Sequence, residues 1–170
     1  MPKFAAVCLG ASGAVRRLDS ETWSKVCEVI KEESGLPIVL LGGAECVEVA
    51  DQLCLMVDTH NFSGKTSLIE SGLLTQSAQF SICLDSSMKH IGAALGAKLI
   101  QIVAHAASLP DANSASQARF GPWGGVCKTL YPTHMENLCS NGFCKGAEPH
   151  CIRNIDFTSM RLAIREYMHN

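Results

Sequence analysis

The sequence predicts an α/β fold, a Rossmann-like doubly wound parallel sheet, and three observations carry that prediction. Short apolar runs and helix-periodic segments alternate five times between Lys3 and Val103. Several of the runs are continuously apolar, as strands covered on both faces of a parallel sheet must be. The separating helices span roughly 8 to 15 residues, the length that right-handed βαβ units require. With 170 residues, one domain covering 1–170 is the expectation.

Lys3 to Leu9 reads as the first strand, ending in the Gly10-Ala11-Ser12-Gly13 turn. Ser20 is placed to cap a helix in which Trp23, Val26, Cys27 and Ile30 recur at helical spacing until Gly35 and Pro37 stop it. Ile38 to Leu41 is a buried-type strand before Gly42-Gly43, and a helix follows from about Glu45 to Leu55. Val57 to Phe62 is a weaker strand, and Ser63-Gly64-Lys65 turns it into a helix begun near Thr66 or Ser67, with Glu70 as capping partner. Phe80 to Leu84, Ser87 to Leu95 and Lys98 to Val103 then read as strand, helix and strand.

Beyond Val103 the periodicity stops. Residues from about 105 to 125 read as a long loop, and 127–151 as a cysteine-rich segment. Helical spacing returns over 156–168, with Phe157, Met160, Ile164 and Tyr167 on one face.

Composition excludes several classes. Apolar residues make up 47% and charged residues 18%, which fits neither a disordered chain nor a fibrous repeat. Fourteen Lys and Arg against 16 Asp and Glu give a net charge of −2, which does not favour nucleic acid as a partner. No signal peptide or transmembrane segment is evident, so a soluble chain is expected. Nine cysteines is an odd count, and Cys8, Cys27, Cys46, Cys54 and Cys83 lie in apolar or helix-periodic stretches, where free thiols act as small hydrophobes. This favours a reducing cytoplasm.

Three polar clusters follow predicted strands, so alternation alone puts them on one rim of the sheet, where α/β folds bind ligands. They are Gly10 to Gly13 with Arg16 and Arg17, Gly42-Gly43-Ala44-Glu45, and Asp85-Ser86-Ser87 with His90. Arginine offers a planar fork to phosphate oxygens, and small residues at a helix start admit backbone amides to them. Glu45 is suited to a ribose diol. The same residues also read as solvated arginines, a plain Gly-Gly turn, a helix cap and a structural histidine. Two familiar motifs fail. Gly64-Lys65-Thr66 lacks the first glycine of a P-loop, because position 59 is threonine, and the first turn has Ser12 and Val15 where a dinucleotide fingerprint needs glycines.

In order and spacing these segments resemble the C-terminal half of the family 9 glycosyltransferases, the ADP-heptose:lipopolysaccharide heptosyltransferases. The residues that carry the resemblance are Gly10-Ala11-Ser12 with Arg16, Arg17 and Trp23, then Leu40 to Gly43, then Phe62-Ser63-Gly64-Lys65-Thr66-Ser67-Leu68. Asp85-Ser86-Ser87-Met88-Lys89-His90 through Gly96 and the closing Cys151-Ile152-Arg153-Asn154-Ile155 extend it over nearly the whole chain. The resemblance implies the donor-binding, Rossmann-like domain of a GT-B enzyme of lipopolysaccharide biosynthesis, with no cofactor and a nucleotide-sugar donor of the ADP-heptose kind. It puts Ser12, Arg16, Arg17 and Thr66 at the donor and Glu45 or Glu48 at the adenosine ribose. Asp85, Ser86, Ser87, Met88 and His90 fall in the diphosphate and sugar loop.

In the family a carboxylate on the N-terminal domain activates the acceptor, and no counterpart of that base is found in the 170 residues. The chain therefore reads as a donor domain that needs a separate acceptor-binding domain or chain, with no catalytic residue of its own. The alternative is a non-catalytic nucleotide- or partner-binding module. A position in the cytoplasm, at most peripheral at the inner face of the membrane, and self-association through a face left by the missing half follow as expectations. Departures include Ser87 where the family has glycine, Arg17-Leu18 where an aromatic follows the basic residue, and Ala104 to Ser108 in place of a Gly-x-Thr turn. Cys127, Cys139, Cys144 and Cys151, near His134 and His150, lack the tight pairs of a structural zinc site, so free thiols are expected ahead of a metal, and a redox or metal-sensing role is a third reading.

Overall fold

A computed structural model describes residues 3–105, 121–135, 139–140, 143–144 and 149–169. Six strands form one parallel sheet: β1 (Ala5–Cys8), β2 (Ile38–Leu41), β3 (His60–Asn61), β4 (Phe80–Leu84), β5 (Lys98–Ile102) and β6 (Val126–Leu130). The strand order is β3-β2-β1-β4-β5-β6. Its direction of growth reverses between β1 and β4, which opens a crevice beyond their carboxyl ends. The helices are α1 (Ser20–Ser34), α2 (Val47–Met56), α3 (Leu68–Ser77), α4 (Ser87–Ala94) and α5 (Phe157–His169).

Successive strand side chains point to opposite faces, and the core divides accordingly. Ala5, Val7, Ile38, Leu40, Phe80 and Ile82 meet Trp23, Val26, Ile30, Leu53, Met160 and Ile164 of α1, α2 and α5. Ala6, Cys8, Leu41, Cys83 and Leu99 meet Ala93 and Leu74 on the other face, which α3 and α4 cover. Gly72 lets α3 approach α4, because a Cβ there would lie 2.9 Å from Ile91 Cγ2. The last helix is pinned along its middle and near its C-terminal end. Glu33 of α1 accepts from Arg161 and Arg165, and the Tyr167 hydroxyl lies 3.0 Å from the Leu99 carbonyl oxygen.

The sequence reading holds for β2 and β4 residue for residue, and for the Ser67–Glu70 capping box that opens α3. Four corrections are needed. Asp19, not Ser20, caps α1, its carboxylate accepting from the Thr22 amide at 2.8 Å, while Ser20 donates to Gln52. The segment from Ala44 to Cys46 is a 3-10 turn, and α2 begins only at Val47. Only His60 and Asn61 of the 57–62 region pair as a strand, at the edge of the sheet.

The fourth correction is β6, which falls where the sequence predicts only the start of the cysteine-rich segment. Val-Cys-Lys-Thr-Leu is an edge strand, exposed or half-covered until Leu130, so it lacks the continuous apolar signal of an interior strand. Part of the long loop, 106–120, lies outside the described residues. The cysteine segment contains a two-residue antiparallel pair, β7 (Cys139–Ser140) and β8 (Phe143–Cys144). Among the described residues no group of His, Cys, Asp or Glu is placed to hold a metal ion, and no helix is long and apolar enough to cross a membrane.

Candidate functional site

The loops after β1, β2 and β4 meet at the crevice between β1 and β4 and enclose a cleft of about 510 Å³. This lies within the range of small-molecule sites. Its floor is Cys8 and Leu41, the last residues of β1 and β2, and its walls are Gly10 to Ser12, Gly42, Gly43, Glu45 and Ser86 to Met88. Arg17, Thr66, Leu68 and Ser71 complete it.

Local chemistry explains each wall. Gly42 is required by contact rather than by turn geometry, since a Cβ there would lie 2.6 Å from Cys46 Cβ. That contact seats the 3-10 turn against the strand end and brings Glu45 to the rim, where a Cβ on Gly10 would lie 3.4 Å from Glu45 Oε1. Thr66 and Ser71 share a hydrogen bond of 2.8 Å between their hydroxyls, and Thr75 donates to the Ser71 carbonyl at 2.8 Å. Burial pushes the Cys8 thiol up to about 12, against the effect of its contact with Thr75, so it is a protonated floor and not a nucleophile.

The N-terminus of α4 faces the cleft. Ser86 is the N-cap but makes no side-chain cap bond, and its shielded Oγ has no hydrogen-bond partner among the described residues. The first amides of α4 and the Ser86 hydroxyl are thus unspent donors beside a cleft that also presents Arg17. Arg17 is oriented by donating from Nε to the Ala11 carbonyl at 2.7 Å, which leaves its terminal nitrogens for a ligand. A guanidinium and a helix N-terminus suit an anion, and Glu45 suits hydroxyl donors.

Of the residues singled out from the sequence, Ser12, Arg17, Glu45, Thr66, Ser86, Ser87 and Met88 line the cleft. Arg16 and Asp85 are not in its lining. They pair with each other at 3.4 Å at its border, and Arg16 also donates to Ser12 Oγ at 2.9 Å. Glu48 and His90 are exposed and stand outside the lining. Partial burial, aided by Lys89, lowers the His90 pKa below its ordinary value.

Sequence reasoning passed over three residues of this region: Cys8, Ser71 and Lys89. Lys89 is wholly buried and pairs with Asp85 one helical turn earlier. The spacing i, i+4 from an aspartate, on the same face of α4 as Gly92 and Ala93, was the available signal. Ser71 and Thr75, again four apart, mark the buried face of α3 in the same way.

This architecture defines a doubly wound α/β domain with a cleft at its switch point. Residues 1–109 match the family model of glycosyltransferase family 9 (heptosyltransferase), and the chain belongs to that family. No curated protein matches the sequence at a significant level. Among solved structures it is similar to E. coli ADP-heptose lps heptosyltransferase II, with a TM-score of 0.74 and 17% identity, covering 99% of this chain and 47% of that one. It is also similar to E. coli heptosyltransferase WaaC with ADP, with a TM-score of 0.65, 15% identity, and 98% and 44% coverage. A third is the dodecameric iron-containing heptosyltransferase TibC of enterotoxigenic E. coli in complex with ADP-D-β-D-heptose, at 0.66, 14%, and 99% and 46%. The chain thus spans a little under half the length of these structures.

Proposed function

We propose that this chain is the donor-binding half of a heptosyltransferase-like glycosyltransferase and that its cleft holds an ADP-sugar. The observation that carries this reading is the convergence of Arg17, Glu45 and the N-terminus of α4 on one cleft at the β1–β4 crevice. Solved structures of similar fold are described with ADP and with ADP-D-β-D-heptose, which is why ADP is the nucleotide proposed.

In this arrangement Arg17 and the α4 amides take the diphosphate, with Arg16 as a second cation at the border. Glu45 accepts from the ribose hydroxyls, and its place in the lining favours it over Glu48. Asp85, Met88 and His90 border the sugar side. As the glycosidic bond breaks, negative charge grows on the leaving diphosphate, and cations and amides already aimed at it lower the barrier without reorganising. Activation of the acceptor hydroxyl falls to an acceptor-binding domain or chain that completes the site.

Calorimetric titration with ADP, UDP, GDP and NAD tests the reading. ADP is expected to bind selectively, and Arg17→Ala is expected to weaken it roughly tenfold, the scale of one charged hydrogen bond. If no nucleotide binds at millimolar concentration, the chain has kept the fold without the ligand, and the binding-module alternative replaces this one.

A further inference from the structure

Three charged side chains stand in a row where β1 and β4 diverge: Arg16, Asp85 and Lys89. The Lys89 ammonium is 0% exposed and pairs with Asp85 Oδ1. The other oxygen of the same carboxylate, Oδ2, faces Arg16 Nη1 at 3.4 Å. Arg16 is 39% exposed and reaches Ser12 of the cleft wall through its other terminal nitrogen.

Burial ranks the two cations' claims on Asp85. An ammonium removed from water is costly to leave without a counter-charge, so Lys89 has to keep its carboxylate. Arg16 can be hydrated where it stands. Its 3.4 Å contact is longer than the 2.7–2.9 Å typical of a charge-assisted N–H···O bond, so Asp85 holds it loosely. The three side chains together carry a charge of +1, and the most exposed of them is Arg16.

We propose that Lys89 is a positioning residue for anion recognition. By engaging Asp85 it leaves the charge of Arg16 only loosely compensated at the edge of the cleft, available to a nucleoside diphosphate, without touching the ligand. This rests on the donor-site reading above and adds a residue to it. Without the ammonium, Asp85 would turn its full charge on Arg16, close the pair and neutralise the border of the cleft.

The test is a charge cycle with ADP as probe. Lys89→Met is expected to weaken ADP binding roughly tenfold, again the scale of one charged hydrogen bond. Adding Asp85→Asn to it restores a net +1 on Arg16 and is expected to recover most of that loss. A purely structural lysine gives a different pattern, in which the double variant is no better than the single one. If Lys89→Met fails to fold, Lys89→Gln, which keeps a donor to Asp85 but no charge, takes its place.

A second readout needs no ligand. The rate at which phenylglyoxal modifies Arg16, followed on the Arg16 peptide by mass spectrometry, should fall several-fold in the single variant and return in the double one. Equal Arg16 rates in all three proteins would overturn the proposal, whatever ADP does. Failure of the unaltered chain to bind ADP would count against the donor-site reading alone, because the Arg16 rates still decide the role of Lys89.

Discussion

Gly42 and Cys46 approach so closely that a Cβ on residue 42 would stand 2.6 Å from the Cys46 Cβ. The atom it would strike is rooted in the 3-10 turn and cannot swing aside. Relief would require the turn carrying Glu45 to move off the end of β2. Gly42→Ala is therefore expected to cost about 1 to 3 kcal/mol, as overpacking does. Chemical denaturation at neutral pH measures the cost, and loss of nucleotide binding in the variant should exceed what unfolding alone explains. An alanine variant as stable as the parent would mean that the contact is not held in solution.

The clamp between α1 and α5 makes stability depend on acid. Hydrogen bonds from Arg165 and Arg161 lower the Glu33 pKa to about 2. Unfolded, it would titrate at about 4.3. Since the folded value is the lower one, the stabilisation is complete above the unfolded pKa and is lost as pH falls toward 2. Glu33→Gln should lower the thermal midpoint at pH 7, with the gap from the parent narrowing between pH 4.5 and 2. A gap that stays constant across that window would show that the clamp does not titrate.

The floor of the cleft should resist alkylation. Burial pushes the thiols of Cys8 and Cys27 up to about 12, and Cys46 up to about 11, so few thiolates exist at pH 8. Cys54, half-exposed near the end of α2, is expected to react with iodoacetamide first among these four. Peptide mapping after brief labelling orders them directly. Rapid labelling of Cys8 in the folded chain would contradict the packing described for β1.

Helix α3 begins with a reciprocal cap, Ser67 accepting from the Glu70 amide while Glu70 accepts from the Ser67 amide. Ser67→Ala is expected to cost about 1 kcal/mol. For a chain of this size that lowers the thermal midpoint by roughly 2 to 4 °C. Thr66 and Leu68, which flank the cap, line the cleft, so bound nucleotide should lessen the effect.

How much of this was legible in the sequence follows from the physics of each element. Interior strands such as Ile38–Leu41 and Phe80–Leu84 announce themselves because both faces must be apolar. Strand β6 did not, since Lys128 and Thr129 are acceptable on an edge strand and leave no hydrophobic signature. Strand-to-helix turns placed Ser12, Glu45 and Ser87 on one rim, because alternation alone orders the loops. It could not separate Arg16 from Arg17. Which of two adjacent arginines enters the cleft depends on the Ala11 carbonyl that holds Arg17 and the Ser12 and Asp85 oxygens that hold Arg16. Lys89 is hidden for a similar reason: a lysine is ordinarily an exposed charge, and its burial goes with a carboxylate partner one turn back.

Binding of the ADP moiety in the cleft between β1 and β4 is read out residue by residue from amide chemical shifts on titration with ADP. Concentration-dependent shifts are expected at Gly10, Ser12, Gly43, Ser87 and Met88, all in the lining. Residues of the hollow at the other end of the sheet, Leu36, Asp58 and His60, should stay still. Shifts confined to that opposite end, or none at millimolar ADP, would contradict it.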